Sequence, residues 1–131
     1  MTLTAQDPVA VTTTWVDVCA LDELVPDRGV AALVGEFQVA LFRLSEDPGT
    51  GEALHAVSNY DPFSQAYVIS RGIVGSHGDV PKVASPVFKQ SFDLRTGECL
   101  DDPSVRIPTF PVRVVGARVE VGLHREAGSA R

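Results

Sequence analysis

Strand-length apolar runs, each ended within a few residues by glycine or proline, recur along this sequence and limit what it can fold into. Valine, isoleucine and threonine together supply 31 of its 131 residues, and 11 glycines and 9 prolines separate the runs. The β-branched side chains are restricted at χ1 and suit the pleated surface of a sheet, whereas glycine and proline favour tight turns. The sequence therefore predicts an all-β domain rather than a helix bundle.

Two pairs of apolar runs predict β-hairpins. Val30–Val34 and Phe37–Leu44 are separated by a Gly-Glu pair, and glycine at the first of two loop positions suits a type II′ turn. Both faces of Phe37–Leu44 are largely apolar, which indicates a central strand that is buried on both sides. Val112–Val115 and Arg118–Leu123 flank a Gly-Ala pair. Apolar and polar residues alternate in the last run, so we expect one of its faces to meet water.

The number of such runs predicts a β-sandwich or small barrel of about ten short antiparallel strands. We assign residues 12–125 to this single domain, with a flexible N-terminus at 1–11 and a flexible C-terminal tail at 126–131. Late in the domain, Gly75–Pro81 is predicted to be a loop tip, and Val87–Leu94 is predicted to be a strand.

The charge balance and the termini exclude several classes of function. A net charge of −6 and a pI of 4.9 argue against a nucleic-acid binder, because phosphate contacts need a basic face. No apolar run approaches the ~18 residues that span a bilayer, and the first residues lack the basic and apolar regions of a signal peptide. We therefore expect a cytoplasmic protein with no membrane or nucleic-acid partner. Residues 1–58 carry nine acidic and two basic residues, which favours either simple solubility or an acidic face that orients docking.

No residue spacing in the sequence is typical of a catalytic or metal site. His55, His77 and His124 lie far apart and have no C-x-x-C, H-x-H or H-E-x-x-H context. The glycine-rich stretch GIVGSHG lacks the Lys-Ser/Thr end of a phosphate loop. Cys19 and Cys99 are too few for a disulfide framework, and we expect both to be reduced thiols.

Several motifs, in a fixed order, are more specific. WVDVC stands at 15–19, SNYDPF at 58–63, SRG at 70–72 and ASPVFKQSF at 84–92. Together they resemble the small subunits of assimilatory NAD(P)H-dependent nitrite reductases, and the resemblance extends over nearly the whole domain. That family is similar to a Rieske iron–sulfur domain that has lost its cluster. The resemblance therefore implies a Rieske-like all-β fold.

The resemblance also locates the lost ligand positions. A Rieske cluster is held by Cys-x-His in one loop and Cys-x-x-His in another, whereas the corresponding positions here are Asn59 and Asp61, then Ser85 and Phe88. Asn59 and Ser85 cannot replace thiolates on ferric iron, and Phe88 cannot ligate at all. We expect turn-forming roles for the polar residues, with Phe88 as a plug in the former cluster space. The alternative is that this tip still faces a partner, as the ligand loops of Rieske domains do.

A partner is implied as well. The large catalytic subunit of this family is expected to carry FAD, an iron–sulfur cluster and sirohaem, and to reduce nitrite to ammonium. This chain would then be a non-catalytic small subunit with no cofactor of its own. We expect Asp61, Phe63, Arg71 and Lys89 to face the partner, although Arg71 could equally hold the loop through Asp61. Two alternatives stay open: a free-standing Rieske-like β module that binds another oxidoreductase, and a true 2Fe–2S electron carrier.

Overall fold

Twelve β-strands and two 3-10 turns occur in the residues that the computed structural model describes, 11–45 and 54–126. The 3-10 turns are Leu21–Glu23 and Ile69–Arg71. The strands are β1 (Val11–Ala20), β2 (Gly29–Val34), β3 (Phe37–Arg43), β4 (Leu54–Ser58), β5 (Tyr60–Asp61), β6 (Ala66–Tyr67), β7 (Ile73–His77), β8 (Val80–Ala84), β9 (Ser91–Asp93), β10 (Thr109–Phe110), β11 (Val112–Val115) and β12 (Arg118–Glu126).

The strands are arranged in four antiparallel sheets. One sheet has the order β1-β12-β11, the second β10-β4-β3-β2, the third β7-β8-β9, and β5 and β6 form a small ribbon. The predicted all-β fold of short antiparallel strands is confirmed. No helix in the described part of the chain is long and apolar enough to cross a membrane.

β3 lies between two hydrophobic cores, because successive side chains of a strand point to opposite faces of its sheet. Val39 and Leu41 pack in a core shared with β12, whereas Ala40 and Phe42 pack in a core shared with β8 and β9. All four side chains are fully buried. This confirms the prediction of a central strand that is buried on both sides.

Both predicted hairpins are present. β2 and β3 pair around Gly35, whose φ of 60° is the positive value that a type II′ turn needs at its first loop position. β11 and β12 pair around Gly116. In β12, Val119 and Val121 are buried and Arg118 is exposed, as the alternation read from the sequence predicts. Gly122, expected on the wet face, is buried against Pro111, Thr13 and Trp15, so the alternation does not continue to the end of the run.

Two local predictions are wrong. The first half of the strand predicted over Val87–Leu94 is a turn, because the Ser85 N–H donates to the Gln90 carbonyl at 2.9 Å and closes the chain on itself. The loop predicted over Gly75–Pro81 is the place where β7 and β8 pair, with Gly78 in the turn. There the backbone ladder between the strands outweighs the weak strand propensity of glycine and proline.

The tails predicted at 1–11 and 126–131 lie almost wholly outside the described residues. Val11 and Glu126, at their inner ends, are register partners in β1 and β12.

Candidate functional site

Asn59 joins three elements where β4 ends. Its N–H donates to the Gln38 carbonyl at 2.9 Å, and its Oδ1 accepts the Ser70 N–H at 2.7 Å. Its Nδ2 lies 3.4 Å from both Gln38 Oε1 and the Tyr67 carbonyl oxygen. The residue is almost fully buried. Its side chain therefore ties the 3-10 turn at Ile69–Arg71 to β3.

Asp61 is a fully buried carboxylate that is held by hydrogen bonds. Its Oδ1 accepts the Phe63 N–H at 2.9 Å, and its Oδ2 accepts hydroxyl hydrogens from Ser64 at 2.9 Å and from Ser85 at 2.5 Å. Burial raises the pKa of this carboxyl group, but the hydrogen bonds outweigh burial and hold its pKa below the usual value. The local sequence thus forms an Asx-type turn around a charge.

Ser85 closes the second loop. Its Oγ accepts the Val87 N–H at 3.3 Å and donates to Asp61 Oδ2. We call the Asp61–Ser85 hydrogen bond the loop staple, because it joins the two loops to which the sequence resemblance assigns the lost ligand positions. The turn continues through Lys89, which has a left-handed backbone with a φ of 66°.

The four residues that the sequence resemblance assigns to the lost ligand positions do not fit a Rieske cluster. Such a cluster needs two thiolates on one iron and two imidazoles on the other, whereas these positions offer an amide, a carboxylate, a hydroxyl and a phenyl ring. The carboxylate and the hydroxyl are also hydrogen-bonded directly to each other. Across 11–45 and 54–126, no three His, Cys, Asp or Glu side chains are grouped as a metal site requires.

The structure separates the four residues that were expected to face a partner. Asp61 is buried in the staple, and Phe63 is half-buried with its ring centroid 6.2 Å from that of Phe92. Neither side chain is exposed enough to be a main contact with a partner. Arg71 and Lys89 are exposed, and neither forms a salt bridge with another described residue. The alternative that Arg71 holds the loop through Asp61 is not realised, since the acceptors of Asp61 are used by other donors.

The expectation that Phe88 plugs the former cluster space is wrong. Its side chain is 58% exposed, because the tight turn after Ser85 directs it outward. The two loops are instead joined by the loop staple.

Three exposed apolar residues near the staple were missed by sequence reasoning. They are Tyr67, Ile73 and Val87. Each is a large apolar residue in or next to a short, turn-bounded segment, and this is the signal that could have found them. In such a segment the backbone changes direction within a few residues, so the side chain can point to solvent instead of the core.

A separate pocket of about 380 Å³ lies beside β4 and β10, and it is lined in part by His55, Arg95 and His124. His124 Nδ1 lies 2.9 Å from Thr13 Oγ1, and Arg95 pairs with a neighbouring aspartate. His77, on β7, is not among the lining residues. The fold therefore does not bring the three histidines together.

Known proteins with the same sequence pattern are nitrite reductase subunits. The sequence model of the Rieske-like [2Fe-2S] domain family matches residues 14–122. The NADH nitrite reductase small subunit of Escherichia coli K12 is 38% identical over 107 residues, which are 82% of this chain and 95% of that protein. A nitrite reductase NAD(P)H large subunit from Klebsiella oxytoca is 36% identical over 116 residues, which are 88% of this chain but 12% of that protein.

The fold agrees with a solved structure of the same kind. A crystal structure from Mycobacterium tuberculosis, described as an NADH-dependent nitrite reductase small subunit, superposes with a TM-score of 0.79 at 47% identity. The match covers 86% of this chain and 96% of that one. The chain therefore belongs to the Rieske-like [2Fe-2S] domain family and, within it, to the small subunits of NAD(P)H-dependent nitrite reductase.

Proposed function

We propose that this chain is the non-catalytic small subunit of a cytoplasmic nitrite reductase, and that its contribution is to bind and order the large subunit. In this proposal the large subunit carries FAD, an iron–sulfur cluster and sirohaem, and it reduces nitrite to ammonium. This chain carries no electrons. Residues 12–125 are the proposed binding unit.

The loop staple carries the proposal. In a Rieske electron carrier the two loops are held together by the metal cluster that both of them ligate. Here Asp61 and Ser85 hold the loops together through a buried, charge-assisted hydrogen bond. The fold is thus maintained at this position by groups with no redox chemistry, which leaves binding as the role of the domain.

The Klebsiella oxytoca relative supports the choice of partner. This chain matches a segment that is 12% of a nitrite reductase large subunit. In that organism the domain and the rest of the large subunit belong to one polypeptide. A domain that is found both as a separate chain and as part of its partner's chain is expected to bind that partner stably.

Purification of the tagged chain, alone and co-expressed with the large subunit, tests the proposal. The chain alone is expected to be colourless and to contain no stoichiometric iron or acid-labile sulfide. Co-expression should yield both proteins in a fixed ratio. The co-purified complex should oxidise NAD(P)H in a nitrite-dependent manner.

Two results would overturn the proposal. About two irons and two labile sulfides on each isolated chain would identify a true electron carrier. A large subunit that never elutes with the chain, while some other oxidoreductase does, would identify a free-standing module instead.

A further inference from the structure

Four large apolar side chains are exposed around the loop staple. Tyr67 is 56% exposed, Ile73 74%, Val87 45% and Phe88 58%. We call these four residues the tip surface. Single exposed apolar residues are common on proteins, but a group of them at one end of a domain is typical of a binding site.

The staple brings the tip surface together. Val87 and Phe88 follow Ser85 with only Pro86 between them, and Ile73 is the register partner of Ala84, the residue before Ser85. Tyr67 lies on the other side of the staple, where it pairs with Tyr60, the neighbour of Asp61, at a ring-centroid distance of 5.1 Å. All four residues therefore lie at the end of the domain where the two former ligand loops meet.

The tip surface is also held in one conformation. The turn that presents Val87 and Phe88 is closed by the hydrogen bond from Ser85 N–H to the Gln90 carbonyl, at 2.9 Å. Lys89 has a left-handed backbone, which is unfavourable for a non-glycine residue and persists only where the surroundings enforce it. A surface that is ordered before binding loses little conformational entropy when it docks.

The charges at this end distinguish it from the rest of the molecule. In segments 59–73 and 84–91 the charged residues are the buried Asp61 and the exposed Arg71 and Lys89. The exposed Asp101 lies at the margin, where its Oδ2 accepts the Ser91 N–H at 2.8 Å. The chain as a whole has a net charge of −6. On the β1-β12-β11 sheet, by contrast, Arg113 pairs with Glu120 and Arg118 pairs with Asp17.

From this arrangement we infer that the tip surface is where the chain docks on the large subunit, an inference that rests on the proposed function. The expected acceptor is an apolar site with carboxylates at its margin, which would pair with Arg71 and Lys89. A second copy of this chain is a poorer occupant, because a two-fold contact would bring two sets of these cations together. The proposed contact with the large subunit, with apolar side chains at its centre and charges at its margin, has the composition of known protein–protein interfaces.

Matched substitutions test the inference in the complex of the two full-length subunits. Phe88→Ser is expected to weaken binding about tenfold or more, and Val87→Ser to weaken it less. Val115→Ser is the control for Val87→Ser, because Val115 is 48% exposed. Val115 lies in the β11–β12 hairpin, where the Ala117 carbonyl accepts the Leu21 N–H. The Leu21 carbonyl accepts a hydrogen bond from Arg43, at the end of β3 opposite to Gln38 and Asn59. The Val115→Ser variant should bind the large subunit as the unsubstituted chain does.

Charge reversal is a second arm of the same experiment. Lys89→Glu is expected to weaken binding and to change the salt dependence of the affinity. An exposed charge at the edge of an interface attracts or repels its partner electrostatically, and salt screens that interaction. Arg118→Glu is the control, because Arg118 is exposed on the β1-β12-β11 sheet, where it is the register partner of Val115.

The outcomes separate the two proposals. If the unsubstituted chain does not bind the large subunit, the proposed function fails. If it binds, and Phe88→Ser and Val87→Ser bind equally well while remaining folded, the docking surface is elsewhere and only this inference fails. A dimer of the isolated chain that Phe88→Ser converts to a monomer would show that the tip surface is occupied by a second copy, and would also overturn it.

Discussion

Ser85 Oγ donates a hydrogen bond to Asp61 Oδ2 over 2.5 Å, although the two residues are 24 positions apart in the sequence. The contact is fully buried and joins the two loops to which the sequence resemblance assigns the lost ligand positions of a Rieske cluster. A hydrogen bond to a charged acceptor is among the stronger ones in proteins. The first two predictions concern what this contact contributes to stability.

Removing the donor should destabilise the domain markedly. Ser85→Ala leaves the buried carboxylate of Asp61 with one hydrogen bond fewer, and we expect the free energy of unfolding to fall by about 1.5–3 kcal/mol. Ser104→Ala is the matched control, because Ser104 Oγ donates to Asp102 at 2.7 Å in an exposed turn. That variant should change stability by no more than about 0.5 kcal/mol. Urea titrations measure both, and equal effects would contradict a special role for the staple.

Acid should weaken the fold through Asp61. Burial alone raises the pKa of Asp61, but its hydrogen bonds bring the net pKa below the usual 3.8. Because the pKa is lower in the folded than in the unfolded state, the ionised group stabilises the fold above about pH 4. That contribution is lost as the pH falls through the depressed pKa. Urea titrations from about pH 7 to about pH 3 should show a smaller loss of stability for Asp61→Asn than for the unsubstituted chain.

Asp93 gives an independent check of this reasoning. Its pKa is also lowered, because hydrogen bonds and the charge of Arg95 outweigh the effect of burial. Asp93→Asn should therefore remove a second part of the acid sensitivity, and the two substitutions should add. If the stability of Asp61→Asn depends on pH just as that of the unsubstituted chain does, the Asp61 carboxylate is not held by hydrogen bonds as the structure describes.

The two cysteines should remain separate thiols. Cys19 borders the core between the β1-β12-β11 sheet and the β10-β4-β3-β2 sheet. Cys99 is buried in the core on the opposite face of the β10-β4-β3-β2 sheet. Burial, followed by the charges of Glu23 and Asp17, raises the pKa of the Cys19 thiol, while Arg118 lowers it. At neutral pH we expect Cys19 to react slowly with a thiol reagent and Cys99 to react only after unfolding.

Reaction in urea without reductant provides the count. Both thiols should be titrated there, and Cys19→Ser should remove one of them together with the slow native reaction. Fewer than two thiols in the unsubstituted chain would indicate a bridge and contradict the arrangement of the two cores.

Sequence reasoning succeeded here where structure is decided locally. The β2–β3 hairpin followed from Gly35 and its flanking apolar runs, and the burial of β3 followed from two apolar faces. The former ligand positions were assigned from motifs, and that assignment stays a prediction. The outward direction of Phe88 and the inward direction of Asp61 did not follow, because each depends on a partner across the staple. Periodicity predicts faces in strands, but it carries no information about side-chain direction inside a turn.

Phe63 and Phe88 offer the sharpest contrast between a core residue and a docking residue. Phe63 packs against the core at Phe92, and Phe88 is exposed. Phe63→Ala should lower the free energy of unfolding by about 2–4 kcal/mol, which is several degrees in melting temperature for a domain of this size. Its folded fraction should bind the large subunit normally.

Phe88→Ala is expected to behave in the opposite way. Its stability should stay within about 0.5 kcal/mol of the unsubstituted chain, since little contact within the domain is lost. Its affinity for the large subunit should fall. Melting temperature and binding measured on the same preparations distinguish the cases. If Phe63→Ala weakens binding at unchanged stability, Phe63 contacts the large subunit as the sequence suggested. That result would contradict the assignment of Phe63 to the core and of Phe88 to the docking surface.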